Sequence, residues 1–185
     1  CRIILPTRRS AAHLKTEMSA LLTKTSWLPE FMTINEWIDR ITGLEPADNL
    51  TLKFACYEAY IEVMQRDARD ISDFFSWADI LISDFNDIEA QRIDKKSFFR
   101  NLSDYREIEQ FSFLSSPLTE KQERYKKFWS ALPKIHDRFN TILLKSNKAY
   151  TGLNLRKAHE IVSDPEFAFD KKLFVVGLNA FSKSE

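Results

Sequence analysis

Glycine is scarce in this chain. There are three, Gly43, Gly152 and Gly177, and none is followed by Lys-Ser or Lys-Thr. A phosphate-cradling P-loop needs closely spaced glycines before such a pair, so this stretch contains none. Cysteine is scarcer still. Cys1 and Cys56 provide neither a disulfide framework nor the paired spacing of a metal site. A reducing, intracellular compartment is expected, and cytoplasmic is the assignment made here. Neither sign of charge prevails, with 27 basic and 27 acidic residues. The basic footprint usual for a nucleic-acid binder is missing overall, which leaves room only for local patches. No apolar run approaches membrane-spanning length and no signal peptide is visible, so a membrane is not expected as a partner.

What remains is ample apolar material. A chain of 185 residues with 44% hydrophobic content suffices for one ordinary domain, or a small domain with an insertion. The first residue is not Met, and the chain ends just after an apolar run. We therefore expect a piece of a longer protein.

The stretch that organises the chain is its beginning. Ile3, Ile4 and Leu5 form an apolar run without alternation, the pattern of a strand buried on both faces of a parallel sheet. Pro6 ends the ladder, having no N–H to give. A helix should follow at once, capped by Ser10 or Thr7, with Leu14, Met18, Leu21 and Leu22 along one side. Ligands of open parallel sheets bind at the carboxyl ends of the strands, where helix N-termini face anions. Thr7, Arg8 and Arg9 occupy that junction. They are compatible with a solvated loop as well as with an anion-facing site.

Phe31 and Met32 suggest a second short strand, and Thr33 or Asn35 can cap a helix with Trp37, Ile38 and Ile41 that stops at Gly43. Near Leu44 to Asp48 the character changes, and helices alone are expected to about Asp164-Pro165. Leu52, Cys56, Ala59, Tyr60 and Val63 share one helical stripe. Phe74, Phe75, Ala78, Leu81, Ile82, Phe85 and Ile88 form another. Pro117 to Glu120 reads as a helix start, followed by a long helix from Tyr125 to Leu143 that Pro133 should bend or divide. Thr151 to Val162 reads as one more helix. Leu173 to Val176 then repeats the kind of apolar run seen at Ile3 to Leu5. The expected fold is α/β: a parallel sheet interrupted by a large all-helical insertion whose aromatic stripes form its own core. The boundaries follow as 1–44 for the first part of the α/β domain, 45–165 for the insertion and 166–185 for the returning strand.

Other constellations favour ordinary structural roles. Asp84, Asn86, Asp87 and Glu89 lack the Gly bend and closing Glu of a calcium loop, and read as a solvated helix face. His13, His136 and His159 have no local metal-ligand spacing, and no Ser-containing nucleophile elbow is present. Arg100 to Tyr105 reads as surface turn chemistry.

Three segments, in this order, resemble the first motor domain of superfamily I helicases of the UvrD and RecB type. Leu5 to Ala12 resembles the strand and helix that carry Thr-Phe-Thr-Asn after the Walker A helix. Phe31 to Trp37 resembles the Thr-x-His-Ser-Phe segment. Leu173 to Phe181 falls where the Walker B strand belongs. With Gly177, Phe181, Ser182 and Glu185, the pattern is closer still to AddB, the helicase-like nuclease subunit with degraded motor motifs. The resemblance implies a partial P-loop NTPase-like helicase domain, with a PD-(D/E)XK nuclease domain elsewhere in a full chain. A working Walker B strand ends in Asp-Glu, which hold Mg²⁺ and orient water. Val176 and Gly177 stand at those places and can do neither. No ATP hydrolysis, catalytic residue, metal or cofactor is therefore expected in this stretch.

The resemblance thus implies a non-catalytic module of an AddB-type helicase–nuclease in double-strand break repair. It would hold DNA, a partner AddA-like helicase subunit, or both. Thr7 and Thr33, with Arg8 and Arg9, would line a single strand, held weakly because the net charge is zero. The alternatives are a piece of an active ATP-dependent superfamily I helicase, whose missing motif lies upstream, and a pure protein-interaction scaffold.

Overall fold

The computed structural model describes residues 1–101, 120–178 and 183. Three parallel strands form its sheet in the order β2-β1-β5: β1 is Arg2–Leu5, β2 is Glu30–Thr33 and β5 is Leu173–Val175. Ile4 faces Met32 on one side and Val175 on the other. The first and last strands of the chain are therefore neighbours, as their matching apolar runs suggest. The central strand is the buried one, with Ile4 fully enclosed and Leu5 nearly so. Arg2 is buried beside them with each of its three guanidinium nitrogens hydrogen-bonded. Nε donates to Glu30 at 3.2 Å, and the two terminal nitrogens donate to Asp170 at 3.1 and 3.2 Å. Glu30 also accepts from Lys171 at 3.1 Å and from Arg40.

β5 differs from expectation. Its apolar run is not buried: Phe174, Val175 and Val176 are about half exposed. The reason is position. β5 lies at the sheet's edge, and among the described residues only β1 packs closely against it. α1 (Arg8–Leu21) shows the same incompleteness. Leu14 and Met18 are half-buried, whereas Leu21 and Leu22 are exposed. α2 (Ile34–Thr42) is better anchored. Gly43 ends it in the left-handed conformation at φ 67°, and Ile38 packs with Leu155 and Ala158.

The intervening helices build a core of their own. α3 (Asn49–Met64) is capped by Asp48 and α4 (Ile71–Phe75) by Asp70. α5 spans Ala78–Ala90, α6 begins as residues 95–101, α7 spans Glu120–Lys145 and α8 spans Thr151–Val162. Cys56, Ala59, Tyr60, Phe74, Ala78, Phe85, Ile135, Phe139 and Leu143 meet in one apolar cluster. The stripe running from Phe74 to Ile88 thus divides between two helices, with Ser76 and Trp77 turning the chain between them.

Several expectations need correction. The stretch from 45 to 165 is not wholly helical. β3 (Glu45–Pro46) and β4 (Lys148–Ala149) pair in parallel as a two-stranded ribbon. Of the two effects expected of Pro133, division does not occur: α7 is one helix across it, with Leu132, Ile135 and His136 buried on its flanks. Arg100 and Asn101 are helical rather than in a turn. The remainder of that expected turn, Leu102 to Tyr105, lies outside the described residues. So do Pro117 to Thr119 of the expected helix start, and Asn179 to Ser182 and Glu185 of the third resembling segment.

Candidate functional site at the carboxyl edge of the sheet

The carboxyl ends of β1, β2 and β5 lie side by side, and the six residues singled out from sequence lie at or just after them. Pro6 stops β1, and Thr7 then caps α1, its hydroxyl accepting the Ser10 N–H at 3.1 Å. Thr7 is the cap and Ser10 its partner, which decides between the two candidates. Thr33 ends β2 and caps α2. Its hydroxyl accepts the Glu36 N–H at 3.2 Å, while the Glu36 carboxylate accepts the Thr33 N–H at 2.8 Å. This reciprocal arrangement is a capping box, legible in sequence as Thr33-Ile34-Asn35-Glu36. Val176, just past β5, donates its N–H to the Ile4 carbonyl at 3.0 Å. Gly177 follows at φ 74°, and a Cβ there would stand 3.8 Å from the Pro6 ring.

Two helix N-termini therefore open on one edge, each with its positive dipole end outward. The arginines behave differently. Arg9 is exposed and makes no ion pair among the described residues. Arg8 reaches across to α2, where its Nε donates to Glu36 Oε1 at 2.7 Å and its Nη2 lies 2.6 Å from the same oxygen. The Thr33 N–H and the Arg8 guanidinium hold the Glu36 carboxyl below its usual range. Glu36 was not among the residues singled out from sequence, although its capping-box spacing marked it.

A second polar group lies inside the helical core. Glu89, read from sequence as part of a solvated face, is completely buried. Its Oε1 accepts from Asn140 at 2.8 Å and faces His136 Nε2 at 3.2 Å and Lys95 Nζ at 3.0 Å. Its Oε2 accepts from Arg156 at 2.7 Å. Burial alone would raise its carboxyl, but His136 and Lys95 overcome that and hold it at about 2. Tyr150 completes the group by donating to Asn140 Oδ1 at 2.8 Å. With α5, α6, α7 and α8 each contributing, this is a joint between helices. The nearby Cys56 thiol is pushed up to about 12 by burial and is no nucleophile at neutral pH.

A cavity of about 600 Å³ is bordered by Tyr60, Trp77 and Phe128, with charged residues around it. The acidic residues among them have partners. Asp67 takes Lys127 at 3.2 Å, Asp70 caps α4, and Asp73 lies 3.9 Å from Arg69. No group of three or more His, Cys, Asp or Glu side chains suited to a metal ion occurs among the described residues. Among the same residues, no helix is long and apolar enough to cross a membrane.

Comparison of the chain with protein-family models, with curated proteins and with solved structures finds no match. The fold defines it as an α/β protein, mostly helical, with a small parallel sheet.

Proposed function

We propose that this chain is a non-catalytic, helicase-like module of an AddB-type helicase–nuclease, which holds single-stranded DNA at the carboxyl edge of its sheet and docks an AddA-like helicase subunit. One observation carries the reading. The three segments that carry the resemblance, separated in sequence, each include part of one of three neighbouring strands of one parallel sheet. The residues tied to the motifs gather at the same end of that sheet: Thr7 and Arg8, Thr33, and Val176 with Gly177.

The chemistry follows from those positions. The hydroxyls of Thr7 and Thr33 and the free N–H groups in the first turns of α1 and α2 donate to a phosphate, and Arg8 and Arg9 add charge-assisted hydrogen bonds. Val176 and Gly177 stand in place of a metal-binding Asp-Glu pair, so the module grips without hydrolysing nucleotide. The 45–165 stretch acts as the insertion of that domain and works in the cytoplasm with it.

Fluorescence anisotropy with labelled oligo-dT across a salt series tests the reading. Weak binding is expected at low salt. Arg8→Ala with Arg9→Ala should weaken it and flatten the salt slope by about one to two units, one phosphate per arginine. An unchanged affinity and slope would remove both arginines from the DNA path.

A further inference from the structure

Glu36 occupies the place where an incoming anion would go. Its carboxylate lies between the starts of α1 and α2. Oε2 accepts the Thr33 N–H at 2.8 Å, and Oε1 accepts from Arg8 at 2.7 Å. The Arg8 side chain is 84% exposed, and among the described residues Glu36 is its ion-pair partner. An external phosphate approaching this edge meets a cation and a helix N-terminus already answered by an internal carboxylate.

We propose that Glu36 is an internal competitor for the DNA phosphate: it holds Arg8 in a carboxylate pair that the ligand must break, and so sets the affinity of the edge low. This rests on the DNA-binding reading above. Exposed pairs of this kind are weak and screened by salt, so a polyanion can displace them. Protonation cannot do the same near neutrality, because the Thr33 N–H and Arg8 keep the Glu36 carboxyl below its usual range. The arrangement makes Arg8 available to a ligand with several phosphates and withholds it from a lone, dilute anion.

Glu36→Gln separates the two jobs of this residue. Gln at the third helical position retains the capping box through its amide oxygen, but carries no charge for Arg8. Oligo-dT should bind the variant more tightly than the parent chain at low salt, by up to about fivefold, the limit set by an exposed ion pair. The salt slope should stay about the same, since Arg8 meets one phosphate in both chains. In an Arg8→Ala background, Glu36→Gln should change neither quantity. A gain that persists without Arg8 would mean a general charge effect and would overturn the competition. Equal binding by parent and Glu36→Gln would overturn it too, while leaving the DNA reading intact. Binding by neither would sink the DNA reading, and the competition with it. Binding by Glu36→Gln alone would support the competition.

Discussion

Gly152 and Asn86 meet backbone to backbone. A Cβ at position 152 would stand 2.1 Å from the Asn86 carbonyl oxygen, and the Gly152 N–H donates to Asn86 Oδ1 at 2.8 Å. This contact lets the start of α8 lie directly on α5. Gly152→Ala must push the two helices apart, at the upper end of the about 1–3 kcal/mol range for overpacking or beyond it. Gly43 has open space around it, so Gly43→Ala carries only left-handed strain of about 1–2 kcal/mol. Urea unfolding should rank Gly152→Ala as the less stable of the two. The reverse order would mean that α5 and α8 part easily.

Glu89, itself fully buried, is the counter-charge for two partly buried basic groups, Lys95 and Arg156. Removing it leaves Lys95, Arg156 and Asn140 without that acceptor. Glu89→Ala should cost about 3–5 kcal/mol, as for one partner deleted from a buried ionic group. Glu62, paired with Arg138 at the surface, is the comparison. Glu62→Ala should cost far less, because an exposed pair is screened by solvent. Equal losses of unfolding free energy in the two variants would show that the buried group contributes no more than a surface pair.

Acid should unfold the protein through the same carboxylates. Glu30 is held at about 2 by Lys171, Arg40 and Arg2, and Glu89 also at about 2, against an ordinary value of 4.5. Both folded-state values are depressed. Each carboxylate therefore stabilises the fold above 4.5, and that stabilisation is lost as pH falls toward 2. The melting temperature should be level near neutrality and drop below pH 4.5. The Glu30 share should shrink at high salt, because that carboxylate is partly exposed. Glu30→Gln with Glu89→Gln should melt lower at neutral pH and show a shallower acid limb. An acid limb as steep as the parent's would assign acid unfolding to other groups.

The two edges of β1 make unequal contributions. Ile4 is enclosed, and Ile4→Ala should cost about 2–5 kcal/mol. Val175 is its register partner on β5 but stands half exposed. Val175→Thr should stay within about 0.5 kcal/mol. Thermal melts of the two variants measure this. A loss at Val175 comparable to that at Ile4 would mean that β5 is covered in solution.

Local signals were legible where the physics is local. Thr33 and Glu36 cap α2 because their spacing closes a hydrogen-bonded ring within one turn, and Gly43 ends it because only glycine takes φ 67° freely. In the cluster from Asp84 to Glu89, Asp84 and Asp87 are exposed as expected, but Glu89 departs from that reading for a related reason. Periodicity marks which residues share a helix face, but not which neighbours approach that face. Lys95, His136, Asn140 and Arg156 come from three other helices, and together they turn Glu89 inward. The two short strands at 45–46 and 148–149 carry no pattern long enough to register, and exist only because two distant turns meet.

The sequence by itself determined the apolar runs at 3–5 and 173–176, the helix caps and the helical stripes, since each depends on side chains a few residues apart. It also carried the absences, from the missing P-loop to the even charge. Tertiary structure alone decided that Ile4 is enclosed while Val175 is open, that Arg8 lies against Glu36, and that Glu89 is buried. Those outcomes depend on what the chain brings across from elsewhere, and burial and ion pairing are properties of the neighbours rather than of the residue.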